Sequence, residues 1–129
     1  MGEMDTIIAE FLSEGNDQAD ELERQLLKLE KDPAAPELLA EVFRVVHSIK
    51  GATSFLGFTK LGALTHKGEG VLVRLRDGAM VLNPEIASVL LSLVDAIREI
   101  LSEIAATGTE GTKDYAALIA NLTRLQKAA

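Results

Sequence analysis

The chain has 129 residues, of which 47 % are hydrophobic and 26 % charged, and its formal net charge is −7. This composition predicts one globular domain with a sizeable core, and the acidic balance excludes a general binder of nucleic acid or other polyanions. Cysteine is absent, which excludes disulfides, thiolate metal sites and cysteine nucleophiles and fits a reducing compartment.

Apolar residues spaced by three and four predict two long helices in the first half of the chain. The first helix ends near Asp32 and Pro33, because proline lacks the amide hydrogen and clashes with the preceding turn. Pro36 suits the first turn of the second helix, and Gly57 suits its end. The predicted core stripes are Ile8, Phe11, Gly15, Ala19, Leu22, Leu26 and Leu29 in the first helix, and Leu39, Val42, Val46, Ile49, Thr53 and Leu56 in the second.

Three more helices follow. Thr59 is expected to cap the third, which Asp77 and Gly78 close, and Asn83 is expected to cap the fourth with Pro84 just inside it. A polar linker over residues 107–111 precedes a short fifth helix. The predicted stripes are Leu61, Leu64, Gly68, Val71 or Leu72, and Leu75 in the third helix, Ile86, Leu90, Leu93, Ile97, Ile100 and Ile104 in the fourth, and Leu118, Ile119, Leu122 and Leu125 in the fifth.

These elements predict an all-α fold, an antiparallel up-and-down four-helix bundle with an additional C-terminal helix on one end or flank. Residues 1–106 form the bundle, and residues 107–129 form the linker and fifth helix of the same domain. No apolar run approaches the roughly 20 residues that cross a bilayer, and no signal peptide pattern stands at the start. We therefore expect a cytoplasmic domain without membrane insertion, monomeric in isolation.

The charge is unevenly distributed along the chain. Residues 1–41 hold twelve acids and three bases, whereas residues 42–76 hold six bases and a single acid, Glu69. Within this basic stretch, His47 lies off the stripe that predicts the core, so its ring should face outward. Lys50 lies one turn further on, close enough to reach an anion held at the imidazole. Gly51 leaves the ring uncovered, although a mid-helix glycine costs about 1 kcal/mol relative to alanine.

His66 and Glu69 lie one turn apart on the third helix. If the second and third helices are antiparallel neighbours, His47 and Glu69 lie at matching heights, ten residues before and twelve after the turn at Gly57. A carboxylate bonded to one imidazole nitrogen fixes the tautomer and raises the basicity of the other nitrogen, as a nucleophilic histidine requires. Taken alone, Glu69 is better explained as a solvated helix carboxylate, and His66 as an ordinary surface or interface histidine.

Four segments of the chain form a recognisable pattern: Phe43–Gly51, which contains a His-x-x-Lys-Gly box, Phe55–Phe58, Leu64–Glu69 and Leu75–Gly78. Taken together, these segments resemble histidine phosphotransfer (HPt) domains, and more narrowly the N-terminal phosphotransfer domain of CheA-type chemotaxis histidine kinases. The resemblance covers about residues 5–105. Gly70 stands where the family often has asparagine, and Gly68 and Gly70 together are expected to loosen the third helix.

The resemblance implies a phosphoacceptor and relay domain of two-component signalling, not an enzyme in its own right. His47 would accept the γ-phosphoryl group of ATP bound by a separate histidine kinase catalytic domain, and would pass it to an aspartate on a response regulator receiver domain. Glu69, Lys50 and His66 would form the hydrogen-bonded surround of His47, with Nδ1 facing Glu69 and Nε2 reacting. Gly51, and the bases Arg44 and Lys67, would support the site.

The same resemblance implies no cofactor within this domain. The chain has no GxxxxGK[ST] loop, and the CheA-like pattern favours a fragment of a longer kinase. Two other interpretations stay open. A purely structural helical adaptor would explain the stripes, and His47, His66 and Glu69 could instead form a two-histidine, one-carboxylate metal site, although Lys50 would repel a cation there.

Overall fold

Five helices account for most of residues 2–127, the part of the chain that the computed structural model describes. They are α1 (Glu3–Lys31), α2 (Pro36–Leu56), α3 (Thr59–Arg76), α4 (Pro84–Thr107) and α5 (Ala116–Lys127). In the bundle, α2 packs on α1 and α3, and α4 packs on α1 and α3, while α5 lies on the flank formed by α3 and α4. The prediction of an all-α bundle with an extra C-terminal helix is confirmed.

The predicted stripes form the core. All of their members are buried except four at stripe ends and in α5, which are partly buried: Ile8, Leu56, Leu118 and Ile119. Each fully buried leucine or isoleucine contributes roughly 1.5–3 kcal/mol of transfer free energy, so these stripes fix the rotation of every helix about its axis. Burial of these stripes also determines which residues of each helix face outward.

The helix boundaries agree with the predicted signals at most ends. Gly57 closes α2 with φ 78°, in the left-handed region that favours glycine. The Asn83 side chain accepts a 2.8 Å hydrogen bond from the backbone N–H of Ile86 and caps α4.

The expected cap of α3 is wrong. Thr59 is the first helical residue, and Phe58 occupies the N-cap position without a side-chain hydrogen bond. Instead, the carboxylate of Glu110, in the linker after α4, accepts hydrogen bonds from the backbone N–H groups of Lys60 (3.2 Å) and Leu61 (2.6 Å). An anion at this position satisfies free N–H groups and interacts favourably with the helix dipole.

Three glycines lie in α3, and the helix continues through all of them, Gly62, Gly68 and Gly70. A Cβ at Gly68 would lie 2.4 Å from Cδ2 of the buried Leu93, so Gly68 lets α4 approach α3 closely. A Cβ at Gly70 would lie 2.5 Å from the side-chain amide carbon of Gln126 on α5, which is the end of a flexible side chain. That Gly68 and Gly70 loosen the helix stays a prediction.

The fifth helix is attached by apolar and polar contacts. Leu122 and Leu125 are buried, Arg74 on α3 donates to the carbonyl of Leu125 at 3.0 Å, and Arg124 lies 2.8 Å from the carboxylate of Glu85 on α4. Over residues 2–127, none of the helices combines the length and apolarity that crossing a membrane requires.

Candidate functional site

His47 lies on the outer surface of α2, with 62 % of its side chain exposed. Its orientation follows from the stripe, because Val46 and Ile49 are buried and turn the neighbouring position outward. Nε2 makes no hydrogen bond to any residue within 2–127, and it lies on the ring edge away from the bonded Nδ1. The imidazole therefore presents one free nitrogen to an approaching molecule.

The other nitrogen of His47 is bonded to Glu69 across the α2–α3 interface. Nδ1 lies 2.7 Å from Oε2 of Glu69, which confirms that the two residues stand at matching heights in the antiparallel pair. Because an ionised carboxylate only accepts hydrogen bonds, Nδ1 bears the hydrogen and the neutral ring has its lone pair on Nε2.

Lys50 completes this group from one turn along α2. Its Nζ donates a 2.8 Å hydrogen bond to Oε1 of Glu69, so the carboxylate is bonded through both oxygens. The Glu69 side chain is only 15 % exposed. Partial burial would raise the pKa of Glu69, but the hydrogen bonds from Lys50 and His47 and the positive charge of Lys50 outweigh burial and lower that pKa. The carboxylate therefore stays ionised at neutral pH.

The face of the imidazole contacts an aromatic ring that the sequence analysis did not assign to the site. The Phe43 ring stacks on His47 with centroids 5.8 Å apart and an interplanar angle of 12°. On Phe43, in turn, lies the guanidinium of Arg76, 4.4 Å from the ring centroid. The i, i+4 spacing of Phe43 and His47 is a sequence signal for the first contact.

The remaining predicted residues lie around this group without bonding to it. His66 is exposed, makes no hydrogen bond within residues 2–127, and lines a shallow cavity of about 530 Å³ together with Lys50. Arg44 is bonded to Glu41, with Nη2 2.6 Å from Oε1. Lys67 is partly buried and makes no ion pair in the described part of the chain. The hydrogen-bonded surround therefore consists of Glu69 and Lys50, and the expectation that it includes His66 is not met.

Gly51 leaves open space beside the site. It is exposed, and a Cβ built on it would meet no atom within 4 Å. The fold therefore gives no steric reason for a glycine at this position.

The metal-site alternative has no support in this geometry. Across residues 2–127, no three His, Asp or Glu side chains come together as a metal site would require. The ammonium group of Lys50 is hydrogen-bonded to Oε1 of Glu69, the oxygen that His47 does not contact. A metal cation bound here would need that oxygen as a ligand.

The sequence of the whole bundle matches one family. Residues 6–107 match the model of the Hpt domain. The chain belongs to the Hpt domain family. This Hpt domain is similar to the sensor histidine kinase CheAY of Helicobacter pylori, with 37 % identity over 110 residues that cover 85 % of the chain and 14 % of that protein. The chain thus spans about one seventh of this relative.

Solved structures agree on the fold of the Hpt domain. The phosphorylated P1 domain of CheA3 from R. sphaeroides, in complex with CheY6, superposes with a TM-score of 0.85 and 27 % identity, covering 97 % of this chain and 99 % of that one. The CheA phosphotransferase domain from Thermotoga maritima gives 0.77 and 28 %, over 81 % and 99 % of the two chains. The likeness to the R. sphaeroides domain extends over nearly all of this chain, beyond the residues of the family match.

Proposed function

We propose that this Hpt domain is the phosphotransfer domain of a chemotaxis-type histidine kinase and that His47 is its phosphoacceptor. The observation that supports this assignment is the bonded, oriented imidazole: Nδ1 lies 2.7 Å from Glu69 while Nε2 is free on an exposed surface. A nucleophilic histidine needs this combination, and the other histidine, His66, has no such carboxylate partner.

Phosphorylation consists of attack by the Nε2 lone pair of His47 on the γ-phosphorus of ATP. The Nε2–P bond forms, the bond from phosphorus to the β,γ-bridging oxygen breaks, and ADP leaves with that electron pair. The ring acquires positive charge as the bond forms, and the adjacent Glu69 carboxylate stabilises that charge. Nδ1 keeps its proton throughout, so no base is needed. Positioning and charge stabilisation dominate this type of transfer.

Lys50 has two roles in this proposal. Its hydrogen bond to Oε1 holds Glu69 in register with the imidazole. Its charge, one helical turn from His47, also partly neutralises the phosphoryl oxygens as a point charge. Gly51 leaves access to the ring, and the basic side chains of Arg44 and Lys67 contribute a favourable potential at longer range.

Transfer onward reverses the bond changes. A carboxylate oxygen of an aspartate attacks the phosphorus, the N–P bond breaks, and its electron pair returns to Nε2. The partners are therefore the catalytic domain of a histidine kinase as donor and a receiver domain of a response regulator as acceptor. The complex formed by the R. sphaeroides P1 domain with CheY6 is a precedent for the second partner.

Within this proposal the domain binds no nucleotide and needs no cofactor, because the separate kinase domain binds ATP. The family match and the small fraction of the relative that it covers support a fragment of a longer cytoplasmic kinase. We propose residues 1–106 as the bundle and residues 107–129 as the linker and fifth helix of the same domain, although α4 extends one residue further, to Thr107.

Labelling with radioactive γ-phosphate tests the assignment. The full chain is incubated with the cognate kinase catalytic domain and labelled ATP, and the label should be acid-labile and base-stable, as phosphohistidine is. His47→Gln should abolish labelling while the circular dichroism spectrum stays that of a helical bundle. His66→Gln is the matched control, because the chain has two histidines.

Two results would contradict the proposal. Label that persists in His47→Gln and disappears in His66→Gln would move the phosphoacceptor to α3. An unlabelled wild-type chain, with a kinase domain that phosphorylates another Hpt domain in parallel, would favour a structural adaptor.

A further inference from the structure

We propose that Phe43 and Arg76 are positioning residues that set the plane of the His47 ring and so direct Nε2 toward the phosphoryl donor. This inference rests on the proposed function of His47. It assigns a role to two contacts outside the hydrogen-bonded group, the stack of Phe43 on His47 and the cation of Arg76 on Phe43; Phe43 is partly buried and also packs against the core.

The hydrogen bond from Nδ1 to Glu69 leaves one freedom of the imidazole unconstrained. The ring is tethered through Cγ and oriented by two side-chain torsions, χ1 and χ2, and a hydrogen bond at one nitrogen restrains only one combination of them, so a concerted rotation of both stays open. The lone pair of Nε2 lies in the ring plane, so such rotation swings the direction of attack. In-line phosphoryl transfer depends on that direction.

The Phe43 ring removes this freedom. It lies nearly parallel to the imidazole at 5.8 Å between centroids, within the range of offset-stacked aromatic pairs. The contact is made from within α2, one turn before His47, so it does not depend on the spacing between helices. With Nδ1 fixed by Glu69 and one ring face fixed by Phe43, position and plane are both determined.

Arg76 contacts a face of the Phe43 ring. The guanidinium lies 4.4 Å from the ring centroid, where it is attracted by the negative face of the π system. Because Arg76 is the last residue of α3 and Glu69 lies two turns earlier on the same helix, one helix supplies both the carboxylate and the cation. The α2–α3 pair therefore orients the imidazole through two independent contacts.

A small phosphodonor separates ring orientation from partner docking. In phosphoramidate the P–N bond breaks as the bond from the imidazole nitrogen to phosphorus forms, and ammonia leaves with a proton. Incubation of the full chain with ammonium phosphoramidate gives a rate, and ³¹P NMR gives the distribution between Nε2- and Nδ1-phosphohistidine. The isomer ratio reports ring orientation, which a general loss of stability would not change in a chain that remains folded by circular dichroism.

Phe43→Leu keeps an apolar side chain but removes the ring. We expect phosphorylation to slow about 2- to 10-fold, the range that corresponds to loss of an aromatic pair, and the Nδ1 isomer to increase. Phe43→Tyr keeps the ring and should restore both values. Arg76→Met keeps the length of the side chain without its charge and should give a smaller loss, about 2- to 5-fold.

Phe55→Leu is the matched control, because Phe55 is also a phenylalanine on α2, is 79 % exposed, and makes no aromatic stack in the described part of the chain. It should react as the wild type does. The inference is overturned if Phe43→Leu matches the wild type in rate and isomer ratio, or if Phe55→Leu loses as much as Phe43→Leu. A wild-type chain that phosphoramidate leaves unlabelled, or labels at Nδ1, would instead refute the proposed chemistry of His47 and this inference with it.

Discussion

Replacing Gly51 with alanine should stabilise the domain, even though a glycine inside a helix is the residue that close packing against a neighbouring segment would require. A Cβ at Gly51 would meet no atom within 4 Å, so the substitution introduces no clash. The position lies inside α2 and is exposed. Alanine is favoured over glycine in a helix interior by about 0.8–1.0 kcal/mol. We therefore expect the free energy of unfolding to rise by about 1 kcal/mol in Gly51→Ala.

Gly68→Ala is the matched comparison, because it gains the same helix propensity in a different environment. Its Cβ would lie 2.4 Å from Cδ2 of Leu93, and Leu93 is buried in the core. Overpacking of this kind costs about 1–3 kcal/mol. The propensity gain cancels between the two variants, so Gly51→Ala should be more stable than Gly68→Ala by about 1–3 kcal/mol.

Urea denaturation followed by helical circular dichroism measures both values, provided that the transition is two-state. A loss of stability in Gly51→Ala would refute the reasoning, because it would mean that the fold itself requires this glycine. Equal stabilities of the two variants would show that Leu93 relaxes without cost. If the prediction holds, helix stability does not account for Gly51. We then infer that this glycine leaves space for a partner to approach His47.

Three further measurements test other parts of the structure. The pKa of Glu69 is lowered in the folded state, so its contribution to stability is present above its ordinary pKa of 4.5 and is lost as the pH falls through the lowered value. Urea titrations at a series of acidic pH values should therefore show that Glu69→Gln loses less unfolding free energy than the wild type does. Equal losses would contradict the pairing of Glu69 with His47 and Lys50. Glu110→Ala should lower the unfolding free energy by about 1 kcal/mol, the value of a helix cap, whereas an unchanged midpoint would show that the cap is dispensable. Leu122 is fully buried, and Leu122→Ala should cost about 2–5 kcal/mol in a single transition; a separate early transition would instead place α5 outside the cooperative domain.

The bundle and the outward direction of His47 could be predicted from the sequence because both follow from local periodicity. Burial of Val46 and Ile49 determines the rotation of α2, and that rotation alone places His47 on the surface. The match in height with Glu69 needed only one further assumption, that α2 and α3 are antiparallel neighbours. Helical periodicity and this one assumption are therefore enough to predict the contact between the two residues.

The details that the sequence did not predict depend on contacts between distant segments. The carboxylate that caps α3 comes from Glu110, some 50 residues after the helix begins, and no pattern near Thr59 signals it. Arg76 reaches Phe43 only because α3 ends beside the middle of α2. His66 lies one turn before Glu69 on α3, but it is exposed and makes no hydrogen bond in the described part of the chain. Spacing along one helix predicts a shared face but not a bond.

The imidazole of His47 lies on the exposed surface of α2 and not inside a cleft. A phosphoryl group attached there would be surrounded by bulk water, and nothing in residues 2–127 encloses it. The lifetime of the modified side chain would then be set by the intrinsic rate at which water hydrolyses the nitrogen–phosphorus bond. Any acceleration of phosphoryl transfer would have to come from the protein that docks on this surface. The receiving protein would therefore set the rate at which the phosphoryl group leaves His47.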